Sequence, residues 1–275
     1  MTPTIGLQPA TNLENQQAVM HAIRKIIETT IRNQPRSLQK TIGPSEIGTP
    51  CDHCLAARLA GWAKNDTEIG WLAFIGTCVH AWLEHLFNTV DKEENSLGRP
   101  LTFLAEQRVT VGQIRGVDII GSTDLYLPDQ MGTNPGGGMT IDWKIVGDST
   151  LKKVKNSDDP GPKYTAQAHL YAKGWNAAGY PTTHVCVYFM PRNQMSLDKG
   201  YWWIDEYRPQ IAQTALERAN NLAVNLDALE TISTQVRDQW ITSLDRAPDC
   251  WDCKKYDDYH TDANGQTSLA GVLNL

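Results

Sequence analysis

The order of patterned segments predicts an α/β or α+β domain built on a mixed central sheet. Helix-period segments open the chain, three strand-like runs follow in succession, and a helix, two strands and a long helix complete the pattern. The 275 residues suffice for one large domain or two small ones. A hydrophobic content of 41% with 20% charged residues is that of an ordinary globular protein, so a core of useful size is available.

Thr11 and Glu14 make a T-x-x-E capping box, and Val19, Ile23, Ile26, Ile27 and Ile31 follow at helical spacing, ending before Pro35. "TIGPSEIGTP" is a turn-rich approach to the first cysteines, and "CLAARLAGW" carries a short helix. Trp71 to Val90 reads as a longer helix with His80 and Glu84 on one face. "LTFLAEQRVTV", "VDIIGSTDLYL" and "MTIDWKIV" are strands separated by turns, with "DQMGTNPGGG" an exposed hairpin loop. "LKKVKNSDDPGP" reads as a polar loop and "KYTAQAHLYAKGWNAAG" as a helix stopped by Gly179 and Pro181. "THVCVYFMP" and "KGYWWIDEY" are two further strands. A helix starting near Pro209 runs as far as Leu244, and the chain from Lys254 onward is polar and unpatterned, the mark of a loose tail. There is no internal repeat.

A net charge of −6 does not advertise nucleic-acid binding, so any positive surface must be local. The N-terminus lacks a basic segment followed by an apolar one, and no apolar run approaches a membrane span. The expected location is cytoplasmic, where disulfides are rare. Four of the six cysteines form two C-x-x-C pairs, Cys51/Cys54 and Cys250/Cys253, while Cys78 and Cys186 sit in apolar settings as buried packing residues.

Side chains alternate along a strand, so Asp142 and Lys144 share one face while Ile141, Trp143 and Ile145 share the other. A charged pair facing inward needs other charges or a metal. Asp124, in "GSTDLY" on the preceding strand, offers the match. Two carboxylates brought together across strands repel unless a cation lies between them, and Mg²⁺ or Mn²⁺ suits oxygen ligands. A lysine beside such an ion can position a water or stabilise charge on a phosphate. The bland alternative is a solvated pair on an edge strand.

Asp124 followed by Asp142-Trp143-Lys144 resembles the PD-(D/E)XK nuclease motif. Gln167 and Tyr171 supply a Q-x-x-x-Y on the next helix, and Gly76 and His80 a G-x-x-x-H on the helix before the strands. The combination is similar to the RecB-like branch of that superfamily, across roughly residues 44 to 255. The resemblance implies a restriction-endonuclease-like α/β core with a central mixed sheet flanked by helices. It implies metal held by His80, Asp124, Asp142 and the Trp143 backbone carbonyl, with Lys144 orienting the attacking water. Gln167 and Tyr171 would contact DNA or brace the lysine, and Glu106 could join the metal shell. Ile145, Val146 and Gly147 stand where the family usually places a threonine-like residue after the lysine.

Each C-x-x-C pair can give two thiolates to one centre, and a single four-thiolate site uses Cys51, Cys54, Cys250 and Cys253 together. It would join the N- and C-terminal segments across 195 intervening residues, a clamp whose closure cost grows only slowly with length. Spacing slightly favours zinc. Resemblance to Cas4-like and AddB-type phage and bacterial nucleases, carried by "GPSEIGTPCDHCLAAR", favours a 4Fe–4S cluster of structural role, with zinc as the alternative. His53 reads as a bystander.

Lys152, Lys153 and Lys155 form the densest basic stretch, directly after the lysine strand, and Arg58 is a second candidate phosphate contact. Trp202 and Trp203 face opposite ways, so one belongs to the core. The expected domains are an N-terminal helical extension (1–43), a nuclease domain (44–255) and a polar tail (256–275). The leading expectation is a metal-dependent exonuclease acting on single-stranded DNA ends in recombination, repair or replication. The rival is a non-catalytic DNA-binding or structural subunit with a degenerate nuclease fold.

Overall fold

The structure, a computed structural model, describes residues 13–33, 42–65, 70–96, 103–128, 137–248 and 250–258. The Thr11 cap, most of the "DQMGTNPGGG" loop and the tail beyond Asp258 lie outside the described residues. The described parts of 1–40 and 67–75 make one compact unit, and those of 41–66 and 76–275 make a second. In the first unit, α1 (Leu13–Arg32) leaves Met20, Ile23 and Ile27 exposed and buries Ile31. No described helix is long and apolar enough to cross a membrane.

The second unit is α/β. Its five strands are β1 (Leu104–Ile114), β2 (Val117–Leu127), β3 (Gly138–Val146), β4 (Thr182–Pro191) and β5 (Tyr201–Glu206), and they lie side by side in chain order. Every neighbouring pair is antiparallel except β3–β4, which makes the sheet mixed. A parallel pair needs a long crossover. Here it carries α5 (Asp148–Ser157) and α6 (Pro162–Ala177). β1 turns into β2 at Arg115 and Gly116, with φ of 53° and 73°, the twist a two-residue hairpin requires.

Helices cover both faces. From Gly76 on, α4 (Trp71–Ser96) lays Leu83 against Leu125, Ile141, Trp143 and Tyr188, with the Phe87 ring stacked on Trp143 at 5.8 Å. On the other face α6 and α7 (Pro209–Glu230) pack Leu170, Trp175 and Leu216 against Val109, Val111 and Tyr126. Helix α6 approaches closely because Gly174 has no side chain: a Cβ there would stand 2.6 Å from Val109. Short helices α2 (Pro44–Ile47) and α3 (Asp52–Leu59) precede α4.

The β1–β2 hairpin changes its allegiance along its length. Ala105 and Leu125 belong to the α4 side, whereas Val109 packs on the α6 side. Strict alternation would put 105 and 109 on one face, so the hairpin rolls over between them. Glu106 lies at that roll with φ 50°, a left-handed conformation that non-glycine residues rarely adopt.

Several expectations are corrected. Residues 151–157 belong to α5, a helix and not a polar loop. Leu151 and Val154, one turn apart, are buried against Val185 and Val187 while Lys152, Lys153 and Lys155 face out. Two apolar anchors among Ser, Thr, Asn and Lys gave too weak a period to see. The helix from Pro209 does not reach Leu244. It stops at Glu230, and α8 (Thr234–Ser243) restarts from Ser233, whose hydroxyl accepts the Val236 N–H at 3.1 Å. Cys78 is exposed, although Cys186 is buried as expected. The chain after Lys254 is not loose as far as Asp258, since Tyr256 is buried beside α3. Trp203 is buried and Trp202 half-exposed, which matches their opposite faces.

Candidate active site and cysteine centre

Strands β2 and β3 pair only from Leu125–Leu127 to Met139–Ile141 and then part. The next positions in that register are Asp124 and Asp142. Asp124 Oδ2 accepts the Trp143 N–H at 2.7 Å, taking the place of a cross-strand carbonyl. Its Oδ1 lies 3.1 Å from His80 Nδ1 on α4. A Glu106 oxygen lies within 4.8 Å of both groups, and Ser122 Oγ donates to that carboxylate at 2.6 Å. Asp142 is buried and ion-paired through Oδ2 with Lys144 Nζ. Its Oδ1 accepts from Gln167 Nε2 at 3.1 Å, and the same nitrogen lies 3.2 Å from the Tyr171 hydroxyl. Lys144 Nζ also sits 5.4 Å from the centre of the Tyr164 ring.

The electrostatics of this pocket are set by burial. Desolvation pushes the Asp142 carboxyl up to about 6, against the pull of Lys144. Burial works against the Lys144 charge, but Asp142 and Asp124 outweigh it and hold the ammonium above its ordinary range. His80 is likewise penalised by burial, and the Asp124 hydrogen bond and charge more than compensate. Glu106 is raised, chiefly by burial. With His80 neutral, the carboxylates of Glu106, Asp124 and Asp142 against one ammonium leave two negative charges, which one divalent cation neutralises. Imidazole and carboxylate donors suit such an ion.

The sequence-predicted residues therefore fall into two linked groups, His80–Glu106–Asp124 and Asp142–Lys144–Gln167–Tyr171. Gln167 donates to Asp142, the partner of Lys144, and its amide nitrogen lies against the Tyr171 hydroxyl, and both residues are buried. Lys152 and Lys153 follow on α5, exposed. The Lys155 ammonium is held by the Lys199 carbonyl. Arg58 lies on α3, in the last turn of the helix that carries Cys54.

The four paired cysteines come together. Cys51 and Cys253 Sγ are 3.5 Å apart, Cys54 and Cys253 3.4 Å, and Cys54 and Cys250 3.6 Å. Cys51 caps the start of α3, and Cys250 begins the 3-10 turn Trp251–Lys255. Arg218 of α7 fixes the approach, donating to the carbonyls of Ile47 and Thr49 and pairing with Asp52 at 3.4 Å. The Asn65 N–H reaches the Lys255 carbonyl at 2.7 Å, tying the segment after α3 to the C-terminal turn.

His53 is not a bystander. It is fully buried, with Nε2 2.9 Å from Asp258 Oδ2 and Nδ1 3.9 Å from Cys54 Sγ. Arg246 donates to that Asp258 oxygen at 2.9 Å and approaches His53 Nδ1 at 3.3 Å, and Thr242 donates to it at 3.1 Å. The rings of Trp62 and Tyr256 pack edge-on against the imidazole. Only the position of His53 inside C-x-x-C hinted at this, since Arg246 and Asp258 carry no local signal.

No protein-family model matches the chain. No curated protein matches it either. Among solved structures, the chain is similar to an alkaline exonuclease (LHK-Exo) from Laribacter hongkongensis, at 10% identity and TM-score 0.43 over 73% of this chain and 95% of that one. The same enzyme in complex with dAMP matches at 9% identity and TM-score 0.43, with coverages of 73% and 95%. A candidate exonuclease from Eubacterium rectale matches at 13% identity and TM-score 0.43, over 88% and 96%.

Proposed function

We propose that this chain is a divalent-metal-dependent deoxyribonuclease of the PD-(D/E)XK, RecB-like type, hydrolysing phosphodiester bonds as an exonuclease at single-stranded DNA ends in recombination, repair or replication. The reading is carried by one observation: the parting of β2 and β3 gathers Asp124, Asp142, Lys144 and His80, four groups from three elements, with both carboxylates buried.

Asp124 and His80 would hold Mg²⁺ or Mn²⁺ together with Asp142 and the Trp143 carbonyl, and Glu106 is placed to share in it. Such an ion, when bound, supplies Lewis-acid polarisation of the scissile phosphate and lowers the pKa of a water. Lys144, kept charged by Asp142, serves as a hydrogen-bond donor that orients the attacking water and steadies charge on the phosphate, not as a base. Gln167 fixes the Asp142 rotamer, and Tyr171 in turn fixes Gln167. Lys152 and Lys153 on α5 would meet the phosphate backbone of the substrate.

The test uses purified protein with Mg²⁺ or Mn²⁺ on end-labelled linear and closed circular DNA, single- and double-stranded. Linear single strands are degraded from their ends and circles are spared. Protein that binds DNA yet cuts no substrate would sink the enzyme reading, and Asp142→Ala cutting as well as wild type would sink the site.

A further inference from the structure

We infer that the four-cysteine centre holds a single tetrahedral zinc ion and not the iron–sulfur cluster that the family resemblance implies. The inference does not depend on the nuclease reading. It rests on the spacing of the sulfurs and on what surrounds them.

The three Sγ separations of 3.5, 3.4 and 3.6 Å link all four cysteines in one contiguous group. A tetrahedral ion with Zn–S bonds of about 2.3 Å sets its sulfurs about 3.8 Å apart along each edge. The observed separations are within a few tenths of an ångström of that edge, and the Cys51, Cys54 and Cys253 sulfurs all lie within 4.8 Å of one another, with Cys250 joined through Cys54. A 4Fe–4S cluster places a separate iron behind each thiolate, with sulfides alternating between the irons. Its cysteine sulfurs must stand apart by the breadth of the whole cluster, and sulfurs already touching leave no room for it. Cys51 and Cys54 leave one helical start, while Cys250 and Cys253 leave one 3-10 turn, and each backbone is pinned by hydrogen bonds of its own. Opening the group to cluster size would have to break those anchors.

The surroundings fit a compact ion carrying excess negative charge. Four thiolates on a divalent ion leave a net charge of minus two, and the half-buried Arg246 guanidinium, ion-paired with Asp258, lies beside His53 at the edge of the group. His53 also lies within ligand range of Cys51, Cys54 and Cys253. Both of its ring nitrogens are engaged, one by Asp258 and one by Arg246, so it acts as a positioning residue and Cys250 completes the tetrahedron. A carboxylate–histidine pair seated against a ligand sulfur is the kind of outer support that orients metal-binding groups.

The experiment measures metals on protein purified anaerobically from cells supplied with both iron and zinc. About one zinc per chain is expected, with no iron, no acid-labile sulfide and no brown colour. That zinc persists in the His80→Ala/Asp142→Ala double variant and falls at least tenfold in Cys51→Ala/Cys253→Ala. Should the cysteine variant not fold, a second reading uses wild-type protein exchanged into Co²⁺. The intense visible bands of a tetrahedral thiolate complex are expected. Iron with stoichiometric sulfide, zinc that survives the cysteine substitutions, or a weak octahedral cobalt spectrum would each overturn the inference.

Discussion

Asp142 is a buried carboxylate whose neighbours only partly offset its desolvation, and that has a measurable consequence. Its folded-state pKa is pushed up to about 6, above the unfolded value of 3.8. A raised carboxyl contributes stability present below pH 3.8 and lost as the pH rises through 6. Metal-free protein should therefore lose stability across that window. Asp142→Asn should flatten the loss and melt several degrees higher at pH 7, as read by thermal denaturation with chelator present. Lys144→Ala should lower kcat by about 100-fold or more with the fold intact by circular dichroism, the usual scale for losing one charged or donor group at a reacting centre. Asp142 and Lys144 were legible in the sequence because their spacing places them on one strand face, and Asp124 because it interrupts an apolar run on the preceding strand. His53 was not, because its partners Asp258 and Arg246 lie roughly two hundred residues away and nothing local marks them. Asp258→Asn should weaken zinc binding about tenfold, measured by competition with a chromophoric chelator.

At the scale of elements, most strands and the starts of the long helices were readable from their apolar patterning, β4 as a continuous apolar run buried along most of its length. Helix α5 was not, because a ten-residue helix with only Leu151 and Val154 buried looks like a polar loop until β4 is there to receive those two side chains. The correction matters for DNA binding: a helix holds Lys152 and Lys153 at fixed positions one residue apart instead of on a mobile loop. Replacing both by Gln should weaken DNA binding evenly across sequences and reduce the slope of log K against log salt by about 2, with no change in melting temperature. The start of α7 depends on a second hidden feature. His169 on α6 is fully buried and accepts the Arg208 N–H at 3.2 Å. Burial pulls its pKa down to about 4. A depressed histidine contributes stability present above its unfolded pKa of 6.5 and lost as the pH falls through 4. On acidification it should account for roughly 3 kcal/mol of lost stability. His169→Asn, which keeps an acceptor near the same place, should remove that acid sensitivity in urea titrations at pH 4 to 7.

At the scale of the molecule, the mixed sheet and its flanking helices followed from the order of patterned segments. The meeting of the two cysteine pairs followed only from the assumption that one centre uses them all. Their junction draws together α3, the end of α8 and the C-terminal turn. It is held by the 2.9 Å His53–Asp258 bond and the 2.7 Å Asn65–Lys255 backbone bond as well as by the sulfurs. The segment around α3 and the C-terminal turn are therefore tied side by side although some two hundred residues separate them in the chain. A single cut at the exposed Arg115–Gly116 turn should leave the two fragments associated and the metal bound, as read by size-exclusion chromatography and metal content, whereas loss of the residues beyond Ala247 should release it. The β1–β2 turn, not the cysteine junction, is then the place where the chain tolerates being opened.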